Sequence, residues 1–209
     1  MPKTYLILEF TALFVALPIL LRYVPWRIPP LPILWLAAGL CLFALLRDPA
    51  FNRALLWNPA PLVIAWRSIF LIFAISAAIV SAAVYFFVPH LLFVFVRANP
   101  IFWAVVMLLY PVLSVYPQSI IYRAFLMHRY QPLFHSSAIL ILVSAAGFSL
   151  MHIVFRNYVA VPLTFAGGLL FAWRYQQTDS LFVSSLEHAL YGCFLFTIGL
   201  GLYFYARAI

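Results

Sequence analysis

The stretch SIFLIFAISAAIVSAAVYFFV, residues Ser68–Val88, decides the fold class. It carries no charged side chain and is long enough to cross the hydrocarbon core of a bilayer, which takes about 20 apolar residues as a helix. Similar runs flank it. On the N-terminal side lie Thr4–Leu21, which contains Glu9, and the shorter Leu31–Leu46. On the C-terminal side lie Ile101–Tyr116, Ser136–Phe155, Tyr158–Tyr175 and Leu181–Tyr205. Pro117 opens a further short segment, Gln118–His128, because proline suits the first turn of a helix. Pro111 is expected to kink the run that contains it. The expectation is an all-α, polytopic membrane helix bundle of about eight helical segments, forming a single integral-membrane domain over 1–209.

The composition agrees. The 209 residues are 67% hydrophobic and 8% charged, with a mean hydropathy of +1.10. A soluble domain carries about 25% charged residues. A β-barrel would need alternating segments of about 10 residues, and the runs here are continuous instead. No charged leader and small-residue cleavage site frame residues 4–23, so they read as a first membrane helix.

The net charge is +8. A basic excess can signal nucleic acid, but these arginines are dispersed at the ends of apolar runs (Arg22, Arg27, Arg47, Arg53, Arg67, Arg97, Arg129, Arg156, Arg174, Arg207). That is the pattern of snorkelling anchors and loops that meet anionic lipid. No cluster exists to neutralise several phosphates, so no nucleic acid is expected as a partner. Trp26, Trp57, Trp66, Trp103 and Trp173 read as interfacial belt residues. The loop Arg47–Arg67 carries three arginines and favours a cytoplasmic N-terminus. Cys41 and Cys193 read as buried thiols. Glu9 reads as structural, and His90, His128 and His135 as interfacial.

Three places break the apolar pattern in the second half of the chain: Tyr122-Arg123, His152 and Glu187-His188. An ionisable side chain at membrane depth costs about 3 kcal/mol or more, so it normally faces a bundle interior and marks a functional site. Gln118 and Tyr122 are four apart, as are Ser119 and Arg123, which predicts one polar stripe on a helix. Phe148 and His152 are also four apart. Glu187 and His188 are neighbours and point about 100° apart on a helix, which argues against a Ser119/His188/Glu187 triad. Arg123 is the natural partner for Glu187. Two histidines and one carboxylate could hold a metal ion, but no His-x-x-x-His pair is present, and neither a metal nor another cofactor is expected. A coupled transporter would need inverted repeats or paired half-helices, and neither is visible.

These residues, Gln118-Ser119-Ile120-Ile121-Tyr122-Arg123, then Phe148-Ser149-Leu150-Met151-His152, then Glu187-His188-Ala189-Leu190-Tyr191-Gly192, resemble in order and spacing the motifs of the CPBP family over about 105–205. That family comprises CAAX prenyl endopeptidases and bacteriocin-processing, Abi-type membrane proteins. The resemblance implies a multi-pass intramembrane endopeptidase, with a first-motif glutamate activating water, histidines assisting, and a final asparagine holding the oxyanion. It implies membrane lipid and a peptide or protein substrate, lipidated or not, as partners, and a bacterial inner (plasma) membrane as location. Here the Glu-Glu pair is Gln118-Ser119 and the asparagine position is Gly192. Neither Gln118 nor unassisted Ser119 can take a proton at ordinary pH. The expected catalytic set is therefore His152, His188, Glu187, Arg123, Gln118 and Ser119, with Glu187 or a histidine as base. The other expectation is a non-catalytic binding or scaffold pseudoprotease that uses the same polar cavity.

Overall fold

The computed structural model describes residues 2–23 and 30–205, and these are helical without a strand. Pro25, Trp26, Arg27 and Pro29 lie outside the described residues, as does Arg207, while Pro30 and Pro32, read from the sequence as part of a Pro-rich turn, lie in the first turn of a helix. Among the described residues the helices are α1 (Lys3–Tyr23), α2 (Pro30–Arg47), α3 (Leu62–Phe87), α4 (Val94–Ala98), α5 (Pro100–Arg129), α6 (Ser137–Phe155), α7 (Ala160–Thr178), α8 (Leu181–Ile198) and α9 (Leu202–Tyr205). Six of them, α1, α2, α3, α5, α6 and α8, are long and apolar enough to cross a membrane. Their outer faces expose large apolar side chains such as Ile64, Phe87, Ile101 and Leu108. Only lipid accommodates such a surface without cost. The chain is a multi-pass integral membrane protein.

Local chemistry sets the helix ends. Asn99, Ser136 and Ser180 accept hydrogen bonds from the N–H groups of Phe102, Ile139 and Val183 at 3.0, 3.2 and 3.1 Å, which satisfies donors that a helix start leaves open. Asn157 caps α7 the same way, accepting from Val159 and Ala160. Asp179 ends α7 with a left-handed φ of 46°, so Ser180 alone caps the next helix.

Three expectations are corrected. Gln118–His128 is no separate helix. It is the second half of α5, which runs unbroken through Pro111 and Pro117. The chain absorbs these prolines by widening the hydrogen-bond ladder into π-helical stretches at Pro111–Val115 and Ile120–Phe125, a common alternative to breaking a helix at proline. The same device occurs at Thr11–Ala16, just before Pro18 in α1. The third span begins at Leu62 rather than Ser68, so Trp66 and Arg67 are helical. The last run does not reach Tyr205 as one helix. It stops at Gly199, whose φ of 108° suits glycine alone.

Packing centres on α5. Its half from Ile120 to Met127, with Tyr130 just beyond its end, forms the core with Phe14 of α1, Ala38 and Leu45 of α2, and Leu140 and Phe148 of α6. Helices α6 and α7 pack closely because Gly168 faces Ala145: a Cβ at 168 would stand 2.9 Å from the Ala145 Cα. Helix α8 closes the bundle against α3, α5 and α7.

Candidate functional site

Among the described residues Arg123 is the largest fully buried side chain, and it lies within the π-helical stretch Ile120–Phe125 of α5. Such stretches recur at functional sites because they turn a side chain out of the regular helical sequence of faces. The Arg123 guanidinium carbon sits 4.4 Å from the ring centre of Phe148 (α6) and 5.4 Å from that of Phe171 (α7). Desolvated cation–π contacts of this kind are worth about 2 kcal/mol.

Both histidines meet the same rings. His152 lies 4.6 Å from Phe148, edge to face. His188, on α8, stands edge-on to Phe148 at 5.4 Å and stacks on Phe171 at 4.5 Å with a 22° interplanar angle. The two phenylalanines therefore tie Arg123, His152 and His188 into one buried cluster. At His152 the helix tightens into a 3₁₀ turn, His152–Phe155. There Nδ1 donates to the Phe148 carbonyl at 2.7 Å. A carbonyl only accepts, so the proton of the neutral ring sits on Nδ1 and Nε2 keeps its lone pair.

Ser119 sits one turn before Arg123 on α5, and both are wholly buried. Ser119 Oγ, all three guanidinium nitrogens of Arg123 and Nδ1 of His188 lack hydrogen-bond partners.

The other two expected members go elsewhere. Gln118 is half-buried and donates from Nε2 to Ser114 Oγ at 2.7 Å. The expected single stripe of Gln118, Ser119, Tyr122 and Arg123 therefore splits: Tyr122 packs edge-on against Phe14 and Phe148. Glu187 does not pair with Arg123. It binds Arg174 of α7, whose Nε and Nη2 donate to its two carboxylate oxygens at 2.8 and 3.1 Å. Arg174 Nη1 also donates to Ser68 Oγ at 2.9 Å, so the pair joins α3, α7 and α8. Arg174 is thus a buried structural cation, not a snorkelling anchor. The reason is angular. Residues adjacent on a helix face different neighbours, so His188 turns to the Arg123 side and Glu187 to the Arg174 side.

Sequence reading missed Phe171, Arg174 and Tyr110. Tyr110 lies on α5 and fills the space beside Gly192: a Cβ there would land on the Tyr110 ring and hydroxyl. A glycine one turn beyond a membrane histidine is a signal for such a close approach. Nothing in the sequence indicated which side chain approaches.

A second polar cluster lies at the C-terminal end of α5. Arg129 grips Glu9 through Nε and Nη2 at 3.3 and 2.9 Å. His128 Nε2 donates to Asp48 Oδ2 at 2.9 Å. That hydrogen bond, with a second from the Ala50 N–H, holds the Asp48 carboxyl below its ordinary range. Cys41 and Cys193 are free and half-buried.

Neither a curated protein nor a solved structure matches the chain. Residues 97–194, just under half of the sequence, match the family model described as Type II CAAX prenyl endopeptidase Rce1-like. The matched segment opens in α4, contains all three motifs, and supplies Ser119, Arg123, His152 and His188. Over residues 97–194 the chain is thus similar to the Rce1-like CAAX prenyl endopeptidases, with Gln118-Ser119 standing at the first of its three motifs.

Proposed function

We propose that the chain is an intramembrane endopeptidase of the CPBP type, acting in a bacterial plasma membrane on a peptide or protein, lipidated or not, whose cleaved segment lies at the bilayer. One observation carries the reading: Arg123, His152 and His188, from three different helices, share the faces and edges of Phe148 and Phe171. With Glu187 held by Arg174, the group fitted to act as base is His152. Its Nε2 takes a proton from water while the water oxygen attacks the scissile carbonyl carbon. The carbonyl oxygen gains the negative charge, which the Arg123 guanidinium offsets in a low-dielectric site. The leaving amine then takes the proton as the C–N bond breaks. His188 adds a second imidazole beside the developing charge.

The test is hydrolysis of prenylated and unprenylated amphipathic peptides by the purified protein in detergent, followed by mass spectrometry of the products. Wild type should cleave, and His152→Ala should lose about a hundredfold or more of the rate. Cleavage indifferent to that change overturns the assignment of the base.

A second reading, a binding pseudoprotease or scaffold, draws on Gln118-Ser119, which leaves the first motif without a carboxylate. It is favoured if wild type binds such peptides and leaves them intact.

A further inference from the structure

The buried cluster is rich in donors that meet no acceptor. Arg123 is 0% exposed, and its Nε, Nη1 and Nη2 are all unpartnered. Ser119 Oγ and His188 Nδ1, on the neighbouring turn and the facing helix, are unpartnered as well. Each of these groups can donate a hydrogen bond. The carboxylate nearest in sequence to His188, Glu187, is committed to Arg174 by two hydrogen bonds. A guanidinium taken out of water without a counter-charge costs several kcal/mol, and two aromatic contacts return only part of that.

We infer that Ser119, Arg123 and His188 form a binding site for the carboxylate of an amphipathic ligand. A carboxylate fits better than a larger anion for two reasons. The guanidinium fork matches its two oxygens in one plane. The site is also closely walled by Phe148 and Phe171, which suits a small planar group over a tetrahedral one. Position points to a ligand with an apolar body. Arg123 lies six residues before Arg129, roughly 9 Å along the helix from the polar end of α5. A carboxylate carried on an acyl chain, or at the C-terminus of an apolar peptide, can reach that depth with its body in lipid. The inference shares the cluster with the protease reading but does not require hydrolysis.

The experiment measures the ligand-induced shift in thermal midpoint, and binding by calorimetry, for the full chain in uncharged detergent. The probes are laurate against dodecanol, an apolar tripeptide as free acid against its amide, and dodecyl phosphate. At least one free acid should bind about tenfold or more tightly than its uncharged analogue, the usual value of a charge-assisted hydrogen bond. Which acid does so identifies the source as fatty acid or peptide terminus. Arg123→Gln should abolish the difference. Because that variant removes a core side chain, Ser119→Glu provides an independent arm. It supplies a carboxylate from within, and it should raise the ligand-free midpoint and erase the shift caused by the acids. Equal binding of acids and uncharged analogues, tighter binding of dodecyl phosphate, or an undiminished shift in Ser119→Glu overturns the inference. Peptide cleavage is read separately, so the site can stand where the protease reading fails, and the reverse.

Discussion

Arg174 and Glu187 form a two-pronged ion pair, with N–O distances of 2.8 and 3.1 Å, in which neither side chain is more than 4% exposed. The pair holds the carboxylate away from Arg123 and fixes α8 against α7. His188, the next residue along, thereby receives its orientation toward Phe148 and Phe171.

Breaking that pair from one side leaves a buried charge unpaired. Glu187→Leu or Arg174→Met should each lower stability by about 3 kcal/mol or more, whereas the two combined should recover much of the loss, because an apolar replacement removes both desolvation costs together. Thermal unfolding in detergent across the four-member cycle checks this. Additive single effects would mean that the pair is not coupled.

Ser119→Glu should raise peptide cleavage by about a hundredfold where wild type is slow, because it returns a proton acceptor to the turn before Arg123. The measurement is initial rate at fixed protein, alongside Ser119→Gln, which has the same length and cannot accept the proton. A gain in both variants would point to packing rather than to proton transfer.

Gly168→Ala should cost about 1–3 kcal/mol, the usual range for overpacking, since the added methyl meets the backbone of Ala145 at 2.9 Å and Phe148 at 3.2 Å. Phe148 is the ring shared by Arg123 and both histidines, so any ligand binding or cleavage should fall further than stability alone explains. Gly39 is the control: a Cβ there meets nothing within 4 Å.

The Asp48–His128 contact should show itself in pH dependence. A carboxyl held below its ordinary range stabilises the fold above the unfolded pKa of about 3.9. That contribution is lost as pH falls through the folded value. Wild type should therefore exceed Asp48→Asn in thermal midpoint at neutral pH, with the gap closing as the medium is acidified below about pH 4. Asp48 is well exposed, so the gap should be small. A gap that persists at low pH would rule out the carboxylate as its source.

Much of this arrangement was legible in the sequence. Arg123, His152 and His188 stood out because their cost in lipid is high, and cost of that size is rarely tolerated without a use. The motif spacing placed Phe148 beside His152. The partner of Glu187 was not legible. Helical periodicity gives the direction in which a side chain leaves its helix, but not which neighbour lies there, and two buried arginines were available. The course of α5 was hidden for a related reason. Pro111 and Pro117 signal an interruption, yet widening the ladder over a few residues keeps the helix whole and re-aims Arg123. Tyr110 gave no signal because an aromatic residue in an apolar run resembles any other core residue.

The interlock of Tyr110 with Gly192 has a consequence for substitution. An amide arriving at position 192 while the phenol remains would have no room, and shrinking the phenol first would open a void beside the glycine. Either single step is unfavourable, so the two positions must change together.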